Sequence, residues 1–525
     1  MKKHLILSLL LSITLPAMAV RRIKKCDSSC KATSKTFFSI RPPHQIGSPE
    51  RLVHFRDKLE QREDGWAGTI QATVFGGKST RTQRLAQYFM PECRDKLIVR
   101  EQLQTFDQEK NDPQLDILAN HLNIYTANGN FESEIRFEPE HSFIGVGFNW
   151  KQRLYERDNG KHFFGFASLP IVRVKNKINL CERIIEDGGG INETLSAASE
   201  TINNFPVVAN VKQAFRQKAW KCGKIDDCGC DNTETRVADI EVGLGYQLIN
   251  EEMCTLESFV GGIIATGNRP EGTYVFEPIV GHNKHHGVFW GSSIGLELWH
   301  HDNMDRKLMM YVDYNGRYMF ERSECRLVDV KCKPWSRYMQ LYCNLEQATA
   351  ASTANENEAL VSHTPGVNKF CLCLDVSPRF IHTFNTGFSY YGERFEAELG
   401  YNFFCRSSEC IELGCTFAET AAFKSVATGG AGQTDNVQTI CRIFNNVNVE
   451  LIENFNDNII KTADLDLESA AHPGTTLHTI YGSFGYRWDD REYPIFAGLG
   501  GSYQYSQDNT GMSKWMLWGK AGISF

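Results

Sequence analysis

The chain ends in the stretch Lys514–Phe525, KWMLWGKAGISF, in which apolar residues alternate with polar or small ones. In an extended strand, Trp515 and Leu517 then fall on one face, whereas Lys514 and Lys520 fall on the other. A membrane-spanning strand that meets lipid on one side and a wet interior on the other needs such faces. The alternation therefore predicts a β-strand that crosses a membrane and ends at the carboxy terminus.

The amino terminus predicts export. Lys2 and Lys3 precede an apolar run over 5–15, and the small-x-small triplet at 17–19 follows, as in a secretory signal peptide. The run is too short to cross a bilayer as a helix, so a retained membrane anchor is the weaker alternative. We expect a signal peptide over 1–19 and a mature chain that begins in the periplasm.

Composition favours a barrel over a helical membrane protein. No later stretch approaches the roughly 20 consecutive apolar residues of a spanning helix. The 43 glycines and the aromatic content of 11% fit tight strand packing and aromatic girdles at the membrane surfaces. The net charge of −7, without a basic arm, predicts no nucleic-acid partner.

Alternating segments predict an all-β, transmembrane antiparallel β-barrel of about twelve strands. The segments are 66–76, 142–155, 162–175, 235–249, 254–267, 286–301, 306–320, 374–388, 393–406, 476–489, 494–507 and 513–525. Their connections are alternately long and short, as expected when short turns face the periplasm and long loops face outward. The alternative is a soluble β-sandwich, but its strands are usually shorter and its core needs consistently apolar inner faces.

The same alternation places charged side chains inside the barrel. The predicted pore-lining residues are Lys151, Arg153, Asp239, Glu241, Glu257, Glu297, Lys307, Asp313, Arg317, Arg379, Glu396, Glu398, Arg487, Lys514 and Lys520. Opposed acidic and basic rows across a hydrated bore would let small polar solutes pass. The same charges could instead form a salt-bridge network that closes a barrel of this size.

Cysteine usage is unusual for a barrel, since the chain has 17 cysteines and most fall in predicted loops. In an oxidising envelope they predict several loop disulfides, and the odd total allows a bond to a neighbouring molecule. In arrangement the pattern is similar to the cysteine-rich major outer-membrane proteins of chlamydiae, whose barrels are cross-linked. A metal site at Cys222, Cys228 and Cys230, or at Cys371 and Cys373, lacks a well-spaced second pair, so we expect no metal.

Catalysis is the weakest of the functional hypotheses. A rim enzyme would need His282, His285 or His286 beside Glu271 or Glu277, and no serine-centred or paired-acid motif surrounds them. The glycines at 188–190 are not followed by a lysine or set between a strand and a helix, so they do not predict a phosphate site. We therefore expect neither catalytic residues nor a cofactor.

From its closing strand and strand rhythm, the chain resembles bacterial outer-membrane β-barrel proteins over residues 66–525. The resemblance implies a position in the bacterial outer membrane in contact with its lipid, and an assembly signal at Phe525 read by the barrel-assembly machinery. Residues 20–65, with charges at helical spacing over 51–64, are expected to form a periplasmic segment. The first functional hypothesis is a porin-like channel for small hydrophilic solutes. The alternative is a surface structural or adhesion barrel without an open pore, whose disulfide-bonded loops contact a partner or neighbouring copies.

Overall fold

Twelve antiparallel strands form a barrel in the computed structural model of the protein. The structure describes residues 34–54, 67–101, 116–157, 161–203, 206–225, 232–251, 253–301, 306–344, 363–423, 426–427, 434–435 and 459–525. The barrel strands, β1 to β12, are Gly68–Thr80, Glu140–Glu156, His162–Lys177, Ile240–Glu251, Cys254–Ile264, Gly287–His301, Arg306–Met319, Arg379–Tyr391, Phe395–Arg406, Thr475–Trp488, Ile495–Ser506 and Ser513–Ser524.

The barrel closes between its first and last strands. β1 pairs with β12 from Thr69 opposite Ser524 to Thr80 opposite Ser513, and it pairs with β2 on its other side. Beyond the last ladder position, the N–H of Phe525 donates to the carbonyl of Gly68 at 2.9 Å. Because every barrel strand is paired on both sides, the backbone polar groups are satisfied without water at membrane depth.

All twelve predicted strands are confirmed, and two of them begin five residues later than expected, at Ile240 and Arg379. The segment 235–249 contains a separate short strand, Thr233–Val237, which pairs with the end of β3. This change of partner explains how β3 tolerates Pro170, since β4 pairs with β3 only as far as Ser168. The segment 374–388 likewise begins in a different sheet, and Pro378 followed by Arg379 with φ of +63° separates the two strands.

The outer face of the barrel is apolar, as the alternation predicts. Val74, Leu244, Leu399, Leu499 and Leu517 are each more than half exposed. A contiguous apolar surface of this kind is stable only against lipid. Within the described part of the chain, no helix is long and apolar enough to cross a membrane.

The long connections fold into a cap at one end of the barrel. We define the cap as the described residues of 81–139, 178–239, 265–286, 320–378, 407–474 and 507–512. Its longer strands form a sheet of Lys96–Arg100, Asp116–Leu118, Glu132–Phe137 and Leu180–Glu186, and a second sheet of Arg322–Leu327, Cys371–Ser377 and Cys410–Leu413. Its α-helices are Thr82–Phe89, Glu193–Asn203, Val211–Ala214, Val367–Phe370 and Leu467–Ala470. Its short strands are Asp329–Val330, Gln340–Tyr342, Thr364–Pro365, Ala422–Phe423, Val426–Ala427, Thr434–Asp435 and Leu465–Asp466. Its 3-10 turns are Pro91–Cys93, Ala119–Leu122, Ser336–Tyr338 and Thr462–Asp464.

Two apolar clusters hold the cap together. The larger one is centred on Phe89, Phe215 and Trp335, and the smaller one on Phe370 and Leu374. The cap therefore has cores of its own rather than a surface of loose loops.

The segment that precedes the first strand departs from expectation. We expected a periplasmic segment over 20–65, but residues 34–54 lie within the barrel and are almost entirely buried. The physical reason is that their backbone and side-chain polar groups find partners on the polar inner wall. The expected signal peptide, together with residues 20–33 and 55–66, lies outside the described residues.

Candidate functional site: a plugged lumen

Most of the predicted pore-lining charges lie on the inner wall. Those that are buried are Arg153, Asp239, Glu241, Asp313, Arg317, Glu396, Glu398, Lys514 and Lys520. Lys151, Glu257, Glu297, Lys307 and Arg487 are partly exposed nearer the short turns, and Arg379 is exposed at the cap end of β8. Their role in conduction stays a prediction, as does the assembly role of Phe525.

A single length of chain fills the bore between these charges. We call residues 34–54 the plug. It begins under the cap, descends through the lumen as irregular chain, and forms one helical turn over Pro49–Leu52. Pro49 at the start of the turn and Glu50 in its first turn favour a helix start.

The cap end of the plug is seated against the cap itself. Thr36 donates from its hydroxyl to the carbonyl of Leu327 at 2.6 Å, and Ser34 donates to Asp329 at 2.8 Å. The ring of Phe38 packs into the larger apolar cluster of the cap. The guanidinium of Arg326 lies 3.5 Å from the ring centroid of Phe37. Cap and plug thus share one packed interface.

The middle of the plug is held by a buried ion cluster. Glu241 on β4 contacts Arg317 on β7 at 2.5 Å and Arg51 of the plug at 2.7 Å. Glu241 also accepts the backbone N–H of Ile46 at 2.9 Å, while Arg317 donates to the Ile46 carbonyl at 2.7 Å. A buried carboxylate between two guanidinium groups has its charge compensated, which burial at membrane depth requires.

Amide side chains of the wall also bind the plug backbone. Asn385 on β8 and Asn402 on β9 both donate to the carbonyl of Gly47 at 3.2 Å. Gly47 has φ of +86°, and a Cβ there would lie 3.2 Å from the Cβ of Asn315. The backbone conformation at position 47 and the nearby wall therefore both favour glycine over a residue with a side chain.

The lower end of the plug is bound by a lysine from the closing strand. The ammonium of Lys520 donates to the carbonyls of Arg51 at 2.7 Å, Val53 at 2.8 Å and His54 at 3.3 Å. These are the carbonyls of a helical turn and of the chain that leaves it, where intrahelical partners run out. Lys520 acts here as a cationic cap inside the lumen.

Glycines on the wall make room for two histidines of the plug. A Cβ on Gly147 would come within 2.1 Å of the His44 ring, and Cβ atoms on Gly485 or Gly498 would come within 2.7 Å of the His54 ring. The inner wall is therefore shaped to the plug and not merely large enough to contain it.

Below the plug, a cavity of about 500 Å³ occupies the short-turn half of the lumen. Polar side chains from β2 to β7 line most of it, among them Lys151, Glu257, Lys307 and Asp313. Lys151 and Glu257 form an ion pair at 2.9 Å across the cavity wall. The cavity forms a polar vestibule that the plug separates from the cap.

A buried charge network joins the cap strands above the plug. Arg326 contacts Glu324 at 2.7 Å and Glu409 at 2.6 Å. Burial by itself would raise the pKa of Glu409, but Arg326, Arg406 and the backbone N–H of His472 together outweigh it, so the pKa lies below its usual range. His472 donates its backbone N–H to Glu409, and burial together with Arg406 and Arg326 holds the pKa of its ring well below the usual value.

The histidines considered for catalysis are not assembled with the acids expected of them. His282 contacts Asp239 at 2.6 Å and, through its other ring nitrogen, Gln45 of the plug at 3.1 Å. His285 contacts Glu324 at 2.7 Å. Glu277 instead accepts backbone N–H groups of the loop 271–274. The histidine and carboxylate pairs thus hold the cap and the plug in place.

Three described cysteines of the cap are in disulfide bonds. Cys222 is bonded to Cys371, and Cys332 is disulfide-bonded as well. Cys222 belongs to one of the two predicted metal-site alternatives and Cys371 to the other, and the disulfide joins them to each other. Cys228 and Cys230 lie outside the described residues.

The plug is the part of the site that sequence reasoning missed. Its stretch RPPHQIGSPE, residues 41–50, has no two-residue or helical repeat, and only the Ser-Pro-Glu start of a helical turn is visible. A run of apolar and polar residues without a repeat, between the predicted signal peptide and the first strand, is the signal that could have indicated a buried segment.

Comparisons with known proteins do not show a family for this chain. No family model matches the chain, and no curated protein matches its sequence. Among solved structures, an outer membrane channel from Pseudomonas putida F1 matches with a TM-score of 0.37 and 7% identity, over 89% of this chain and all of that one. The transport unit of the autotransporter AIDA-I from Escherichia coli matches with a TM-score of 0.31 and 7% identity, over 90% of this chain and 93% of that one. A Pseudomonas aeruginosa FadL homologue matches with a TM-score of 0.29 and 8% identity, over 88% of this chain and 90% of that one. The closed twelve-strand barrel is established by the strand pairing itself, and no family is shown for the chain.

Proposed function

We propose that the protein is a plugged outer-membrane channel for small hydrophilic solutes, in which residues 34–54 close the lumen and solutes pass when that segment moves. One observation carries the proposal: polar and ionic contacts to the inner wall hold the plug along its length, beside the apolar contacts of Phe38, Ile46 and Val53. Glu241, Asn402 and Lys520 would all face water once the plug leaves. Water can replace these polar contacts when the plug leaves.

The vestibule supports the same proposal. Its charges of both signs, such as Lys151 and Glu257, are partly exposed in the cavity, and the plug stands between them and the cap. A barrel built purely as a support could fill its lumen with wall side chains. Here the wall instead carries recesses for a removable segment, as at Gly147 and Gly498.

The second candidate is a surface structural barrel that never opens. The cap favours it, because two apolar cores and the disulfide between Cys222 and Cys371 give the outer end a folded surface fit for contacts with partners. The plug would then be a permanent part of the core.

Single-channel recording in a planar bilayer separates the two candidates. The wild-type protein should open rarely, and Arg51→Met should open at least about tenfold more often, because the plug loses one buried charge-assisted hydrogen bond of about 1.5–3 kcal/mol. In open events, Lys307→Gln should shift the reversal potential toward cation selectivity, since a cation of the vestibule is removed. The cap variant Lys331→Gln is the matched control and should leave selectivity unchanged. Silence from both wild type and Arg51→Met, in protein that keeps the heat-dependent gel mobility of a folded barrel, would favour the structural barrel.

A further inference from the structure

Two thiols face each other in the cap sheet. Strand Arg322–Leu327 pairs antiparallel with Cys371–Ser377, and Cys325 lies directly opposite Cys373. Directly opposite residues in an antiparallel pair have Cα atoms about 4.5–5.5 Å apart, which is within the range that a disulfide spans. Their side chains also leave the sheet on the same face.

Both thiols of this pair are half-buried in the cap sheet. The Ser323 hydroxyl lies 2.9 Å from the sulfur of Cys373. Burial raises the pKa of the Cys325 thiol, and the nearby Cys373 raises it further. Cys371, two residues before Cys373 and therefore on the same face, is already bonded to Cys222.

The strand that carries Cys325 also binds the cap end of the plug, and we call this strand, Arg322–Leu327, the seat of the plug. The residue after it, Arg326, covers the ring of Phe37, and the carbonyl of Leu327 accepts the hydroxyl of Thr36. Any motion of this strand relative to its partner would shift the contacts that fix the cap end of the plug.

We propose that Cys325 and Cys373 form a disulfide in the oxidising envelope, and that this bond locks the seat of the plug. The two thiols lose two protons and two electrons to a disulfide-type oxidant, which is reduced to two thiols as the Sγ–Sγ bond forms. The bond itself does not depend on the proposed channel function. Its effect on opening rests on that function.

Peptide mapping by mass spectrometry tests the bond directly. The full-length protein is refolded with oxidised glutathione, alkylated without reduction and digested. A peptide pair linked through Cys325 and Cys373 is expected, and it should persist in the control variant Cys181→Ser. In Cys325→Ser, Cys373 should become open to alkylation. Free alkylation of both thiols in the wild-type protein, or a link from Cys373 to another cysteine, would overturn the assignment.

Channel recording then tests the lock. The double variant Cys325→Ser/Cys373→Ser should open about tenfold more often than wild type under oxidising conditions, whereas Cys181→Ser should match wild type. If the linked peptide is found and openings are equal in all three proteins, the bond stands and the lock is refuted. If no protein conducts, including Arg51→Met, the proposed channel function fails while the mapping result still decides the bond.

Discussion

Replacing Lys520 with methionine should release the plug more effectively than any other single change at the wall. The ammonium donates to the carbonyls of Arg51, Val53 and His54, whose positions define the lower end of the plug. Methionine has a similar length and fills most of the same space, but it cannot donate a hydrogen bond. The change therefore removes the contacts while disturbing the barrel wall little.

The magnitude follows from the three contacts. At about 1.5 kcal/mol for each hydrogen bond from a charged donor, about 4.5 kcal/mol is lost. No longer burying an ammonium ion offsets about 2 kcal/mol of this, taking the lower part of the range for a buried charge. The net shift of about 2.5 kcal/mol corresponds to an increase of about 70-fold in the open-to-closed ratio.

The measurement is the open probability of single channels in a planar bilayer at neutral pH. The matched control is Lys78→Met, because Lys78 is a lysine on β1 that forms an exposed ion pair with Glu140 at 3.0 Å. An exposed pair contributes about 0–1 kcal/mol, so this variant should behave as wild type. The reasoning is refuted if Lys520→Met, folded by gel mobility, opens no more often than Lys78→Met.

Two further results are expected. Gly147→Ala should displace the plug and raise the open probability at least tenfold, because the added Cβ would lie within 2.1 Å of the His44 ring. Adding His44→Ala to the same chain should restore the closed state. Failure of this rescue would contradict the assigned fit between Gly147 and His44. Acidification should loosen the cap. Folding depresses the pKa of His472, so the neutral form of its ring is favoured in the folded protein. The free energy of unfolding is therefore undiminished above about pH 6.5, the ordinary pKa of histidine. Below that pH it falls, by up to about 2 kcal/mol at pH 5 for one proton. Amide exchange of the cap at pH 7.5 and pH 5 measures this effect, and His472→Gln should flatten the pH dependence; an equally steep dependence in that variant would exclude His472 as its source.

Much of the barrel could be predicted because the relevant signal is local. Side chains alternate between the two faces of every strand, so Leu517 must face lipid if Lys520 faces the lumen. In the structure His382 follows the same alternation, since it stacks on Phe380 of the outer face and contacts the Tyr314 hydroxyl at 3.0 Å. Closure of the sheet satisfies the backbone without any further information from the loops.

Pairings between distant residues limited the rest of the prediction. The inward direction of Arg317 followed from its strand, but its contact with the carbonyl of Ile46 joins positions 271 residues apart. Nothing in either local sequence marks such a partner. The cap likewise gathers Phe38, Phe89 and Trp335 into one core from three separate parts of the chain.

The sequence by itself determined the architecture of this protein, namely twelve strands, their inner and outer faces, and long connections at one end, because these follow from a two-residue repeat and from turn-forming residues. Only the tertiary structure decided that the lumen is closed. Residues 34–54 have no regular repeat of their own, and their conformation is set by wall groups such as Glu241, Asn402 and Lys520. Polar groups buried in a lumen must find partners, and which partners meet depends on closure of the whole barrel.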